Sequence, residues 1–125
     1  MAKRILVIDD SRLNLGIISQ ALSQAGFEVA TANNGNEGLE KFKKEKIDLV
    51  ILDLILPGLD GFGFLQICKN DPLIKHIPVI VLTGRDSLEE IEKTKRLGAL
   101  ECFVKHRMPP NKIKDYIKSY FNQWK

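Results

Sequence analysis

"DLVILDLILPGLDGFGFL", residues 48–65, decides the fold. Its first part, "LVILDL" (49–54), is short, aliphatic and apolar on successive residues rather than on alternate ones. That pattern fits a strand buried on both faces, as strands are inside a parallel sheet covered by helices. "LPGLDG" (56–61) then reads as a turn, and Asp60 is a good N-cap for a short helix over "GFGFLQICK" (61–69). One residue breaks the pattern. Asp53 places a carboxylate inside the apolar run, and burying an unpaired carboxylate costs several kcal/mol. A partner or a task must compensate.

The same unit recurs on either side. "RILVI" (4–8) and "IPVIVLT" (77–83) are strands of the same kind, with "FEVATA" (27–32) and "LECFV" (100–104) weaker candidates. Helical spacing separates them. In "SRLNLGIISQALSQAG" (11–26), Leu15, Ile18, Leu22 and Ala25 share one face and Gly26 ends the helix. "NEGLEKFKKEK" (36–46) pairs Leu39 with Phe42. "SLEEIEKTKRLG" (87–98) is polar except for Leu88, Ile91 and Leu97, which predicts a helix seated shallowly on the surface. The last helix carries Ile113, Tyr116 or Ile117, Tyr120 or Phe121, and Trp124. Five β–α alternations imply an α/β doubly wound domain, a parallel sheet with helices on both faces, filling residues 1–125.

The bulk numbers agree. A chain of 125 residues suits one buried core. No apolar run approaches the ~20 residues of a membrane span. The start "MAKRILVIDD" is basic, but its apolar stretch is short and meets two acids, unlike a signal peptide. A cytoplasmic protein is expected, with no membrane insertion. Cys68 and Cys102 form no CxxC pair, which argues against a metal or redox site on sulfur. The net charge of +3 is spread over solvated helix faces such as "KFKKEKID" (41–48), not gathered on a recognition element, so direct nucleic-acid binding is not expected. The initial Met and the compact last helix lean towards a full-length chain.

In open parallel sheets, ligands bind outside the carboxyl ends of the strands. Strand one ends in Asp9 and Asp10, strand three in "ILDL" with Asp53, strand four in Thr83, and strand five in "FVKH" with Lys105. Side by side, these ends converge on one cleft. Three carboxylates within a few ångströms need a counter-charge. Mg²⁺ takes oxygen ligands, keeps several waters and bridges to phosphate. A carboxylate can also serve as nucleophile and form an aspartyl-phosphate. In phosphoryl transfer the equatorial oxygens need neutralising, which a cation, a lysine and a hydroxyl together supply. Each residue has a simpler reading. Asp10 or Ser11 could cap the first helix, Thr83 could be an ordinary strand end, and Lys105 a snorkelling surface lysine. The weight lies in their joint placement.

The chain resembles the receiver domain of two-component response regulators, a family that includes single-domain chemotaxis regulators. The resemblance rests on "ILVIDDSRLN" (5–14), "DLVILDLILPGLDGFGFL", "IPVIVLTGRDS" (77–87) and "GALECFVK" (98–105), in order, over essentially the whole chain. It implies a flavodoxin-like (βα)5 fold with the strand order 2-1-3-4-5 known for such regulators. It implies that Asp53 accepts the phosphoryl group from a sensor histidine kinase or histidine phosphotransfer protein. Asp9, Asp10, Asp53 and the Ile55 carbonyl would hold Mg²⁺. Thr83 would bond a phosphoryl oxygen, and Lys105 would pair with the carboxylate and then with the phosphoryl group. Output would pass through the face formed by the fourth helix, fifth strand and fifth helix to a downstream protein. A phosphorylation-dependent dimer is also admitted, and no metabolic activity is implied. A donor would dock near the first helix, with Leu13, Leu15 and Ile18 as candidate contacts.

Three positions depart from the family pattern. Cys102 stands where an aromatic usually precedes the lysine by three, with Phe103 beside it. His106 replaces the usual proline after the lysine, which predicts a trans bond and an altered loop through "HRMPPN" (106–111). Gly84 follows Thr83 in place of alanine and opens access. Three other readings are set against the main one. An aspartyl-nucleophile phosphatase typically needs a second acid at position 55, which is Ile. A receiver-like scaffold acting without phosphorylation is favoured only by Cys102 and His106. A flavin-binding flavodoxin would need hydroxyls and amides where the first loop is acidic.

Overall fold

The computed structural model describes residues 2–122. Its strands are β1 (Arg4–Ile8), β2 (Glu28–Ala32), β3 (Leu49–Leu52), β4 (Val79–Thr83) and β5 (Glu101–Val104). All neighbours pair in parallel, in the order 2-1-3-4-5. The helices are α1 (Arg12–Gln24), α2 (Gly35–Lys44), α3 (Gly61–Asn70), α4 (Leu88–Arg96) and α5 (Pro110–Asn122), with a 3-10 turn at Lys105–Arg107 before the last. This is the doubly wound fold expected. The order reverses between β1 and β3, so a crevice opens at their carboxyl ends.

The successive apolar residues divide between two cores. Leu6, Ile8, Val50, Leu52 and Val81 face Phe42 of α2 and Phe64 and Leu65 of α3. Ile5, Val7, Ile51, Ile80 and Leu82 face the other way, onto Leu15, Ile18 and Leu22 of α1 and Ile113 and Ile117 of α5. Both faces of β1, β3 and β4 are buried, which is why no polar residue alternates with the apolar ones there. Gly26, at φ 95°, ends α1 as expected, and the Phe27 N–H beyond it donates to the Leu22 carbonyl.

Several boundaries and faces differ from expectation. β3 stops at Leu52, so Asp53 is the first residue beyond the strand rather than inside it. β4 starts at Val79 because Pro78 has no N–H for the ladder. Lys105 opens the 3-10 turn instead of closing β5. Leu15 and Ile18 are buried, which removes them as exposed contacts; Leu13 and Ile17 are the apolar residues α1 exposes. α4 is indeed shallow, but the residue it buries is Thr94 rather than a leucine, and Leu88 is 76% exposed. Trp124 lies outside the described residues. Among the described residues, no helix is long and apolar enough to cross a membrane.

Candidate functional site

The site grows directly out of the ladder. The Asp9 N–H donates to the Ala32 carbonyl (3.1 Å) and the Asp53 N–H to the Ile8 carbonyl (3.0 Å), so each continues its strand's pairing one residue past the strand end. Adjacent parallel strands therefore deliver two carboxylates to one spot. Asp9 is 3% exposed and Asp53 6%. Lys105 Nζ lies between them, 2.9 Å from Asp9 Oδ2 and 3.0 Å from Asp53 Oδ2.

The second oxygen of each carboxylate is also occupied. Asp9 Oδ1 accepts from the Ser11 N–H (2.9 Å) and Asp53 Oδ1 from the Ile55 N–H (3.2 Å). Thr83, fully buried at the end of β4, repeats the device: its Oγ1 accepts from the Arg85 N–H at 3.1 Å. The ends of β1, β3 and β4 thus each turn on a side-chain oxygen that bonds the backbone two residues on. Ser11, not Asp10, caps α1, its Oγ accepting from the Asn14 N–H. That leaves Asp10 exposed at the mouth of the site.

Oxygen atoms of Asp9, Asp10 and Asp53 lie within 4.8 Å of one another. Against these three carboxylates stands one ammonium, a local excess of two negative charges. The electrostatics reflect this. Burial raises the Asp53 pKa above its ordinary value; Lys105 and the Ile55 N–H oppose the shift without cancelling it, and the Asp9 charge adds to it. Burial works against the charge on Lys105, but its hydrogen bonds to Asp9 and Asp53 outweigh that and raise its pKa. A hard divalent cation fits this donor set. The ligands are carboxylate oxygens, the charge excess matches, and Asp10 opens to water that such an ion would retain.

Two glycines in the deciding stretch position the site, and the sequence reading took them only as turn residues. Gly58 has φ 70°, which a side chain would strain. A Cβ on Gly61 would stand 2.6 Å from Leu54 Cα and 2.8 Å from the Asp53 carbonyl oxygen, so only glycine lets α3 begin against the Asp53–Leu54 backbone. The tight "GLDG" spacing was the available signal.

The departing positions are now placed. A Cβ at Gly84 would meet nothing within 4 Å, so the residue after Thr83 leaves the approach open. His106 is exposed in the 3-10 turn, and the described chain has no cis peptide bond, as expected for its non-proline residue. Cys102 is half-buried against the α2–α3 core, beside the Thr94 side chain of α4. Phe103 points the other way and meets Tyr116 of α5 edge-on, with ring centroids 5.1 Å apart.

Comparison with known proteins gives one consistent result. A family model described as the response regulator receiver domain matches residues 5–118. The chain is 37% identical over 105 residues to Response regulator PleD of Caulobacter vibrioides, covering 84% of this chain but 23% of that protein's length. It is 33% identical to Sporulation initiation phosphotransferase F of Bacillus subtilis, over 96% of this chain and 94% of that one. Among solved structures, the chemotaxis response regulator CheY4 of Vibrio cholerae superposes with a TM-score of 0.87 at 30% identity, covering 95% and 98% of the two chains. The chain belongs to the response regulator receiver domain family.

Proposed function

We propose that this chain is a phosphorylation-activated signalling switch of a two-component phosphorelay, a single receiver domain over residues 1–125 that works in the cytoplasm. A histidine kinase or phosphotransfer protein supplies the phosphoryl group. An Asp53 carboxylate oxygen attacks phosphorus, the P–N bond to the donor imidazole breaks as the new P–O bond forms, and the imidazole leaves. Asp9, Asp10, Asp53 and the Ile55 carbonyl would hold Mg²⁺, which would balance charge on the transferring group. Lys105 moves from a carboxylate pair to a carboxylate–phosphoryl pair. The Thr83 oxygen accepts from the Arg85 N–H, and the hydroxyl donates its proton to a phosphoryl oxygen.

The single observation that carries this reading is the Lys105 ammonium bridging two buried carboxylates, with a third within 4.8 Å. A merely structural lysine would be paired with one acid, not set among three. Output runs to a protein target through the α4–β5–α5 face, and the donor docks beside α1, where Leu13 and Ile17 are the exposed apolar residues. With Cys102 at the usual aromatic position, the output passes through the Thr94–Cys102 contact rather than through a swinging ring.

Intact-mass spectrometry after incubation with Mg²⁺ and acetyl phosphate tests the proposal. One added phosphoryl group is expected, absent with EDTA and absent from Asp53→Asn. No adduct from acetyl phosphate or from a phosphohistidine donor would shift the reading to a scaffold that acts unphosphorylated. Ile55 is half-exposed beside the acceptor and cannot orient an attacking water. The aspartyl-phosphate is therefore long-lived, and Ile55→Asn is expected to lose it faster; equal lifetimes would refute this.

A further inference from the structure

The pole of the sheet opposite the carboxylates carries a second feature. Between the end of α2 and the segment joining α3 to β4 runs a groove of about 400 Å³. Phe42, Ile47, Ile74 and Ile77 form its apolar floor, and Leu73 stands at its edge, 81% exposed. It lies a strand length, roughly 15 Å, from Asp53. The geometry points to this groove as a docking site for an acidic segment of a partner protein that carries an aliphatic or aromatic anchor.

Leu73 is not exposed because its loop is loose. Its N–H donates to Asp71 Oδ1 (2.9 Å), and the Ile74 and Lys75 N–H groups donate to the Asp71 carbonyl. Lys69 Nζ then donates to the carbonyls of Lys75 (3.1 Å) and Ile77 (2.9 Å), pinning the far side of the loop. A leucine held out on a fixed frame loses little order on binding, which favours affinity.

Charge selects the partner. Lys43, Lys46 and Lys75 are exposed around the groove, and among the described residues none of them forms an ion pair. The neighbouring acids are half-buried and each is bonded within the chain. Glu45 pairs with Arg4 Nη2 (2.5 Å), Asp48 Oδ2 accepts from the Arg4 N–H (2.8 Å), and Asp71 is used by Leu73. Glu45 is neutralised by Arg4, while Asp48 and Asp71 bond only neutral N–H groups, so the rim sets three exposed lysines against two half-buried carboxylates, a small positive excess that favours carboxylates flanking an apolar side chain.

The test is selection of displayed random short peptides on the immobilised chain, followed by mapping one selected peptide through backbone amide shifts. Sequences with Asp or Glu around an aliphatic or aromatic residue are expected, with shifts confined to residues 43–48 and 73–78. Leu73→Ser and Lys46→Glu, both at exposed positions, are each expected to weaken binding about tenfold, while Asp53→Asn binds unchanged. That last result separates this site from phosphorylation. No selected peptide, no enrichment of acids, or shifts on the α1 side would overturn the proposal. Groove shifts on dilution of the chain alone would assign the occupant to a second copy and overturn it equally.

Discussion

α1 and α4 both cover the sheet, but they are held in different ways. α1 sets Leu15, Ile18 and Leu22 into the core and ends on a glycine cap. α4 buries only Thr94, whose hydroxyl donates to its own Ile91 carbonyl. Its remaining ties are polar and peripheral: Glu90 to Arg85 (2.6 Å), Lys95 to Glu101 (3.7 Å), and Lys93 over the Phe62 ring (4.4 Å). Burial of apolar area is the dominant stabilising term, while exposed ion pairs contribute roughly 0–1 kcal/mol each. The comparison teaches that α1 is anchored by apolar burial and that α4 is the helix the fold can release at low cost. Arg85 joins it to the site, bonding Thr83 Oγ1 through its N–H and Glu90 through its guanidinium.

The largest effect should come from breaking α1. Leu22→Ala removes a side chain that is 1% exposed, and a loss of about 2–5 kcal/mol is expected in urea unfolding. Leu88→Ala on α4 should stay within about 0.5 kcal/mol. Comparable losses from the two would erase the distinction.

A smaller effect of opposite sign is expected at the site. Asp53→Asn removes a carboxylate whose burial and proximity to Asp9 disfavour its charge. Lys105 keeps Asp9, so no buried charge is left unpaired. A gain of about 1 kcal/mol is expected, worth about 4 °C in Tm. The pH dependence has a definite sign. The folded-state pKa of Asp53 lies above its ordinary 3.8, so its contribution favours folding below that value and is lost as pH rises through the folded pKa. Thermal melts across the acid range should therefore show the gain of Asp53→Asn over wild type growing with pH. A gain that shrinks with pH would contradict this.

The polar ties of α4 give the next test. Salt screens exposed pairs and leaves apolar burial intact or strengthens it. Raising NaCl should speed amide exchange in residues 88–96 while leaving residues 15–22 unchanged, as read by hydrogen–deuterium exchange. Uniform behaviour of both helices would show that α4 is held by something other than these pairs.

Much of this was legible in the sequence, because a strand buried on two faces leaves an unbroken apolar run and a carboxylate inside such a run stands out. The five strands and the positions of Asp9, Asp10, Asp53, Thr83 and Lys105 at their carboxyl ends follow from that. The strand order came from the resemblance alone. What stayed hidden depends on contacts across the chain. Thr94 reads as one more polar residue on a polar helix until the sheet is placed beneath it. Leu13, Leu15, Ile17 and Ile18 are similar in sequence, and only the helix phase separates the exposed pair from the buried pair. Leu73 is an ordinary leucine until Asp71 and Lys69 are seen to hold its loop outward. Gly61 reads as a turn residue, while its real constraint is the backbone of Asp53 and Leu54.

The two cysteines probe the same contrast at its finest. Cys68 lies on the buried face of α3 with no exposed surface, and burial pushes its thiol up to about 12. Cys102 lies beside α4; burial raises its pKa too, with the Thr94 side chain opposing the shift. Alkylation requires both access and thiolate. Near pH 8, iodoacetamide should modify Cys102 whenever α4 lifts, faster in NaCl, while Cys68 should react only as fast as the whole domain unfolds. Above about pH 9 the unfolded Cys68 ionises while the folded thiol does not, so that group's contribution to stability fades between about 9 and about 12. Cys68 labelling should accelerate across that range through unfolding rather than local opening, and it should keep pace with loss of far-ultraviolet circular dichroism. Thr94→Val should slow the Cys102 reaction alone, because it removes the group that favours the thiolate. Equal labelling of the two thiols at neutral pH would mean that α4 is seated as firmly as α3, and would leave the polar attachment of α4 without mechanical consequence.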